Sequence, residues 1–114
     1  MSNPKSLTLY INGQNTIPWE VTDSSGTPLT NVNANVTMSL VWGRDRIRPD
    51  LSPGVTVNNF PVTMSYVGNV FSATVNSLVG VFPGGDYTVI INAAAGLTTL
   101  AYWERPAVLI LNGS

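Results

Sequence analysis

Apolar and polar residues alternate along most of this chain, which is the pattern of β-strands with one buried face. No segment carries apolar residues at helical spacing over two full turns. The last apolar run, Pro106–Leu111, is apolar at successive positions, which predicts either a central strand of the sandwich or one paired across a subunit boundary. The alternating segments lie within residues 7–12, 17–22, 36–41, 62–67, 71–75 and 87–91, with a short strand at 55–57 and a last strand over residues 100–111 that Pro106 is expected to break.

Glycine, proline and short polar residues separate these segments at intervals of about ten residues, which is typical of a β-sandwich or barrel. Asp23–Pro28 predicts a turn, because aspartate bonds its own backbone and glycine accepts a positive φ. Gly68-Asn69 predicts a two-residue hairpin turn between the strands on either side. Residues 83–86 predict a further turn, and residues 43–54 a longer loop.

The composition agrees with a β protein, since 14 Val, 12 Thr and 6 Ile are all β-branched. We therefore predict an all-β fold, an immunoglobulin-like antiparallel β-sandwich of about seven to nine short strands. The chain has no cysteine, so this sandwich has no disulfide. The expected domain covers residues 7–112, between an N-terminal tail of residues 1–6 and a C-terminal tail of residues 113–114.

Charge is scarce: 10% of the residues are charged, where about 25% is usual. Histidine and cysteine are absent, which removes the commonest general acid–base group, thiol nucleophiles and Cys/His zinc sites. We therefore expect no enzyme, no cofactor and no metal site. The net charge of −1 disfavours nucleic acid, and no apolar run has the length of a membrane span. The first residues do not resemble a signal peptide, so we expect synthesis in the cytoplasm.

The charges that exist are concentrated in one segment that follows Trp42. It is interpreted either as a contact loop, since arginine and tryptophan are favoured at interfaces, or as a solvated loop. In an extended chain, alternate residues of the segment would point to the same side. The candidate interface residues are Trp42, Arg44, Asp45, Arg46, Arg48 and Asp50.

Three tryptophans could form a platform on which a sugar ring stacks, but a tryptophan in a strand more often packs in the core. For Trp19 and Trp103 we expect core positions. Trp42 adjoins the charged segment, so a surface anchor at an interface is the expectation for that residue.

Several segments resemble immunoglobulin-like modules of bacteria and phages. Val21–Leu29, followed by Asn33–Thr37, is similar to the opening of such modules, and Gly84–Val89 is similar to a later strand. Phe60–Val67, followed by Phe71-Ser72-Ala73, resembles small structural proteins from the head or head–tail region of tailed bacteriophages. Tyr102–Val108 carries the same resemblance, which altogether covers most of residues 7–110.

The resemblance implies a fold and a role rather than reactive residues. It implies a non-enzymatic structural protein of the virion: a decoration, minor capsid or neck–tail component. Its expected partners are major capsid or neck and tail proteins and further copies of itself, arranged by the symmetry of the particle. The alternatives are a carbohydrate-binding or adhesion module and an immunoglobulin-like module of a cell-surface protein.

Overall fold

The computed structural model describes residues 3–42, 56–57, 59–76, 78, 81, 83 and 86–111. Within these residues the chain forms strands in two sheets and no helix, which confirms the all-β prediction. The strands are β1 (Leu7–Tyr10), β2 (Asn15–Trp19), β3 (Asn35–Trp42), β4 (Val62–Thr63), β5 (Ser65–Val67), β6 (Val70–Val75), β7 (Tyr87–Ala95) and β8 (Thr98–Ile110).

The larger sheet has five strands in the order β1-β8-β7-β3-β4, and the smaller sheet has the order β2-β6-β5. Every described pairing of these strands is antiparallel except the pairing of β1 with β8, which is parallel. Leu7 is the partner of Ala107 in that register. The sheets therefore match the predicted β-sandwich, with one parallel edge in place of a wholly antiparallel arrangement. The immunoglobulin-like topology stays a prediction.

Residues from both sheets form one hydrophobic core. The alternation explains which residues belong to this core, because every second residue of β3 and β7 points inward. The same holds for β2 and for the first half of β6. The largest fully buried side chains are Trp19, Phe71, Met38, Leu40, Ile91, Leu109, Val36 and Val89.

The segment expected as one strand at residues 62–67 is divided between the two sheets. Its first part, β4, pairs with β3 in the larger sheet, and its second part, β5, pairs with β6 in the smaller one. Met64 lies between them, is buried, and donates its N–H to the Val36 carbonyl at 2.8 Å. The apolar alternation continues through this crossing, so the sequence pattern alone did not reveal it.

Two predicted turns are confirmed. The Asp23 carboxylate accepts the N–H groups of Ser25 and Thr27, each at 2.9 Å, and Gly26 has a φ of 84°. Gly68 and Asn69 join β5 to β6 with φ values of 61° and 68°. Positive φ at both central positions is the geometry of a type I′ turn, which matches the twist of the two strands.

A second hairpin, between β7 and β8, was not predicted. Ala95 pairs with Thr98, so Gly96 and Leu97 form a two-residue turn, with φ of 62° at Gly96. β7 is consequently longer than the alternation over residues 87–91 indicated, and β8 runs through Pro106 without the break expected there. The apolar run at residues 106–111 belongs mainly to β8, which lies between β1 and β7. Within this run β7 pairs with Pro106 and Ala107, and β1 pairs with Ala107–Ile110, so the run is paired inside the domain.

Candidate functional site

The surface most suited to binding is the outer face of the five-stranded sheet, which is the face turned away from the core. Glu104 is the one charged side chain among the described strand residues of this face, and Asn, Ser and Thr supply its polar groups. This face therefore has few charged side chains among its described strand residues, as does the chain as a whole. The outer face includes Thr8, Tyr10, Thr37, Ser39, Val41, Thr88, Ile90, Asn92, Tyr102, Glu104, Pro106, Val108 and Ile110.

One corner of the outer face is apolar. Tyr10 of β1 is the partner of Ile110 in β8, and these side chains are 40% and 37% exposed. Val108, two residues before Ile110 on the same face of β8, is more exposed still, at 53%. We call Tyr10, Ile110 and Val108 the apolar corner. Contiguous exposed apolar side chains of this kind commonly mark a protein interaction site.

Tyr102 and Glu104 lie two residues apart on β8, so both project from the outer face. Local desolvation raises the pKa of the Tyr102 hydroxyl, and the negative charge of Glu104 raises it further. A side-chain interaction with the Glu104 carboxylate acts in the same direction. Together these effects favour the neutral form of the tyrosine.

The edge of β1 beside the apolar corner is closed by a side chain. The Asn15 amide donates to the Tyr10 carbonyl at 2.9 Å, and its oxygen accepts the Tyr10 N–H at 2.7 Å. These two bonds replace those of a neighbouring strand, so an incoming strand cannot pair at Tyr10. Sequence reasoning missed Asn15, although it occupies an inward position of the alternation that continues through Ile17 and Trp19.

The end of β2 has a similar arrangement. The Asn3 amide donates to the Glu20 carbonyl at 2.7 Å, and its oxygen accepts the Glu20 N–H at 2.8 Å. Pro4, the residue after Asn3, is held as well, because the Arg105 guanidinium donates a hydrogen bond to its carbonyl at 3.0 Å. The side-chain amides of Asn15 and Asn3 thus bond backbone groups next to an edge of each sheet. β1 is that edge in the larger sheet, and β2 is that edge in the smaller one.

Of the predicted interface residues, Trp42 is the one within the described part of the chain, and its prediction as a surface anchor is wrong. Its side chain is 4% exposed, and its ring centroid lies 4.7 Å from that of Tyr87. The reason is the alternation of β3, which turns Trp42 inward opposite its register partner Tyr87. The other candidates, Arg44, Asp45, Arg46, Arg48 and Asp50, lie outside the described residues.

The core positions predicted for the other tryptophans are confirmed. Trp19 is fully buried, and half-buried Trp103 packs against it edge to face with a centroid distance of 6.1 Å. The Arg105 guanidinium lies 5.6 Å from the centroid of the Trp19 ring, within the range of a cation–π contact. Trp19 and Trp42 therefore offer no exposed ring face for a sugar.

In the described part of the chain, no three carboxylates group as a metal site would require, and no helix has the length and hydropathy to cross a membrane. Comparisons of the chain with protein-family models, with curated proteins and with solved structures found no match. The resemblance to phage proteins therefore depends on the sequence motifs.

Proposed function

We propose that this protein is a non-enzymatic structural component of a phage particle that binds protein subunits through the outer face of its five-stranded sheet. The observation that carries the proposal is the near absence of charge among the described strand residues of that face, together with its apolar corner. The phage context comes from the motifs around residues 60–73 and 102–108.

The composition of the outer face favours burial against another protein. Removing a charged group from water costs far more than removing a neutral hydroxyl or amide, so a face with one carboxylate is inexpensive to cover. Tyr10 and Tyr102 add exposed aromatic rings, and tyrosine is enriched in protein interfaces.

The partners we propose are capsid, neck or tail subunits and further copies of this chain. Asn15 occupies the edge of β1 at Tyr10, which favours packing of the sheet face over addition of a strand. A face contact also suits a particle in which one subunit type repeats, because each copy presents the same surface to its neighbours.

The experiment is co-sedimentation of the purified chain with phage particles assembled without it. Wild-type protein should sediment with the particles, and Val108→Lys should weaken binding at least about ten-fold, because it places a cation in the apolar corner. Leu97→Lys is the matched control, since Leu97 is fully exposed at the β7–β8 turn, and it should bind like wild type. Absence of binding by the wild-type chain, or equal binding by Val108→Lys, would contradict the proposal.

A further inference from the structure

A cleft of about 380 Å³ lies where the chain crosses from the larger sheet to the smaller one, between β4 and β5. Its apolar lining comes from Ala34, Val36, Met64 and Phe71, all of which are buried core residues. The cleft lies near the β3–β4 edge of the larger sheet, at the opposite edge from the apolar corner on β1 and β8.

The rest of the lining is polar but uncharged. Asn31, Asn35, Thr63 and Ser65 are exposed, and Tyr66 is half-buried with its ring centroid 5.0 Å from that of Phe71. Among the described residues, the polar side-chain atoms of these five make no hydrogen bond with the protein. Their amide and hydroxyl groups are therefore available to a ligand.

A second cleft of about 240 Å³ adjoins the first and shares Asn31, Ala34 and Asn35 with it. Asn35 begins β3, and the backbone of the turn before it, which carries Asn31, is fixed by local hydrogen bonds. The Asn33 side-chain oxygen accepts the Thr30 hydroxyl at 2.7 Å, and the Thr30 carbonyl accepts the Ala34 N–H at 3.1 Å. A fixed backbone places the Asn31 side chain beside the cleft before a ligand arrives, which lowers the backbone entropy lost on binding.

We infer that this cleft binds a neutral saccharide, with one face of a sugar ring against Tyr66 and its hydroxyls bonded to Asn31 and Asn35. A sugar ring combines an apolar C–H face with many uncharged donors and acceptors, as the lining requires. An anionic ligand would find no cation, because no charged residue lines either cleft in the part of the chain that the structure describes. A purely apolar ligand would displace water from the amides without replacing the hydrogen bonds that they make with that water.

The inference goes beyond the proposed structural role and depends on different residues, so each can fail alone. The test is a titration of isotope-labelled protein with glucose, galactose, mannose and N-acetylglucosamine, followed by backbone amide NMR. At least one sugar should shift amide signals within residues 31–36 and 63–66. Absence of saturable shifts with all four sugars, or shifts confined to other regions, would overturn the inference.

Two variants locate the binding. Tyr66→Ala removes the ring and should weaken binding about ten-fold or more, whereas Tyr66→Phe keeps the ring and should retain most of the affinity. Because Tyr66→Ala also removes packing on Phe71, the exposed Asn35→Ala provides a second test and should weaken binding as well. Tyr102→Ala, an exposed tyrosine on the outer face, should bind sugar like wild type. Equal affinity in the folded Tyr66→Ala and Asn35→Ala proteins would exclude this cleft.

Discussion

Asn15 connects three parts of the molecule with one side chain. Its amide joins the end of β1 through Tyr10 and lies 3.4 Å from the Val75 carbonyl of β6, in the other sheet. It is the single buried polar side chain among the described residues. Such a group is tolerated in a core because backbone partners satisfy it, and it specifies how the sheets meet.

Asn15→Ala should therefore lower the free energy of unfolding by about 1–3 kcal/mol, because it leaves the Tyr10 N–H and carbonyl without their partners. Urea denaturation followed by tryptophan fluorescence measures the change. Asn76→Ala is the control: Asn76 is exposed and pairs with Gln14 at the surface, so the change in stability should be small. A similar loss in both variants would show that Asn15 has no special structural role.

The Tyr102–Glu104 pair gives a prediction for pH. Local desolvation and Glu104 raise the Tyr102 pKa above its ordinary value of 10.0, so Glu104→Gln should lower it toward that value. The stability linked to this shift is present below the ordinary pKa and is lost as the pH rises through the folded-state pKa. NMR of the tyrosine ring carbons across alkaline pH measures the titration. Glu20→Gln should leave it unchanged, and an unchanged Tyr102 pKa in Glu104→Gln would contradict the assignment.

The β5–β6 hairpin shows what a local sequence signal can predict. Gly68-Asn69 between two alternating runs indicated the turn, because few other residue pairs accept positive φ at both positions. The β7–β8 hairpin has a weaker signal: Gly96 is followed by Leu97, and the apolar Ala93–Ala95 before it shows no alternation. A turn is predictable when both of its residues and both flanking strands indicate it.

Gly68→Ala should cost about 1–2 kcal/mol of stability. The cost is conformational, because a Cβ at this position would meet no atom within 4 Å, while its φ of 61° is unfavourable for a residue with a side chain. Asn69→Gly should have the opposite sign or no effect, since φ there is also positive. Thermal unfolding of both variants measures the effects, and equal melting temperatures for wild type and Gly68→Ala would contradict the turn geometry.

At the scale of the whole molecule, the alternation predicted the all-β class and the inward residues but not the distribution of strands between sheets. Val62, Met64 and Tyr66 alternate as in one strand, although the chain crosses between sheets at Met64. A residue that points inward does so in either sheet, so alternation carries no information about the crossing. The cleft depends on that crossing, and the outer face depends on the strand order. Neither could be predicted without the tertiary structure.

The edge strand β1 protects the longest strand of the larger sheet. Deletion of residues 1–10 should expose the edge of β8 along Ala107–Ile110 and promote association of copies through that edge. Sedimentation velocity measures the oligomers, with circular dichroism to confirm the remaining sheet. Leu9→Ala is the control, because it weakens the core but keeps the backbone of β1 in place. A folded, monomeric deletion variant would refute this role of β1.

The pairing of β1 with β8 also determines when the larger sheet can be completed during synthesis. Leu7 cannot pair until Ala107 has been synthesised, so the ribosome has to translate one hundred further residues before the first strand has its partner. Contacts between residues so far apart in sequence slow folding, and until they form both strands expose backbone groups that can pair with other chains. A nascent chain that stalls before residue 98 lacks all of β8 and cannot complete the sheet.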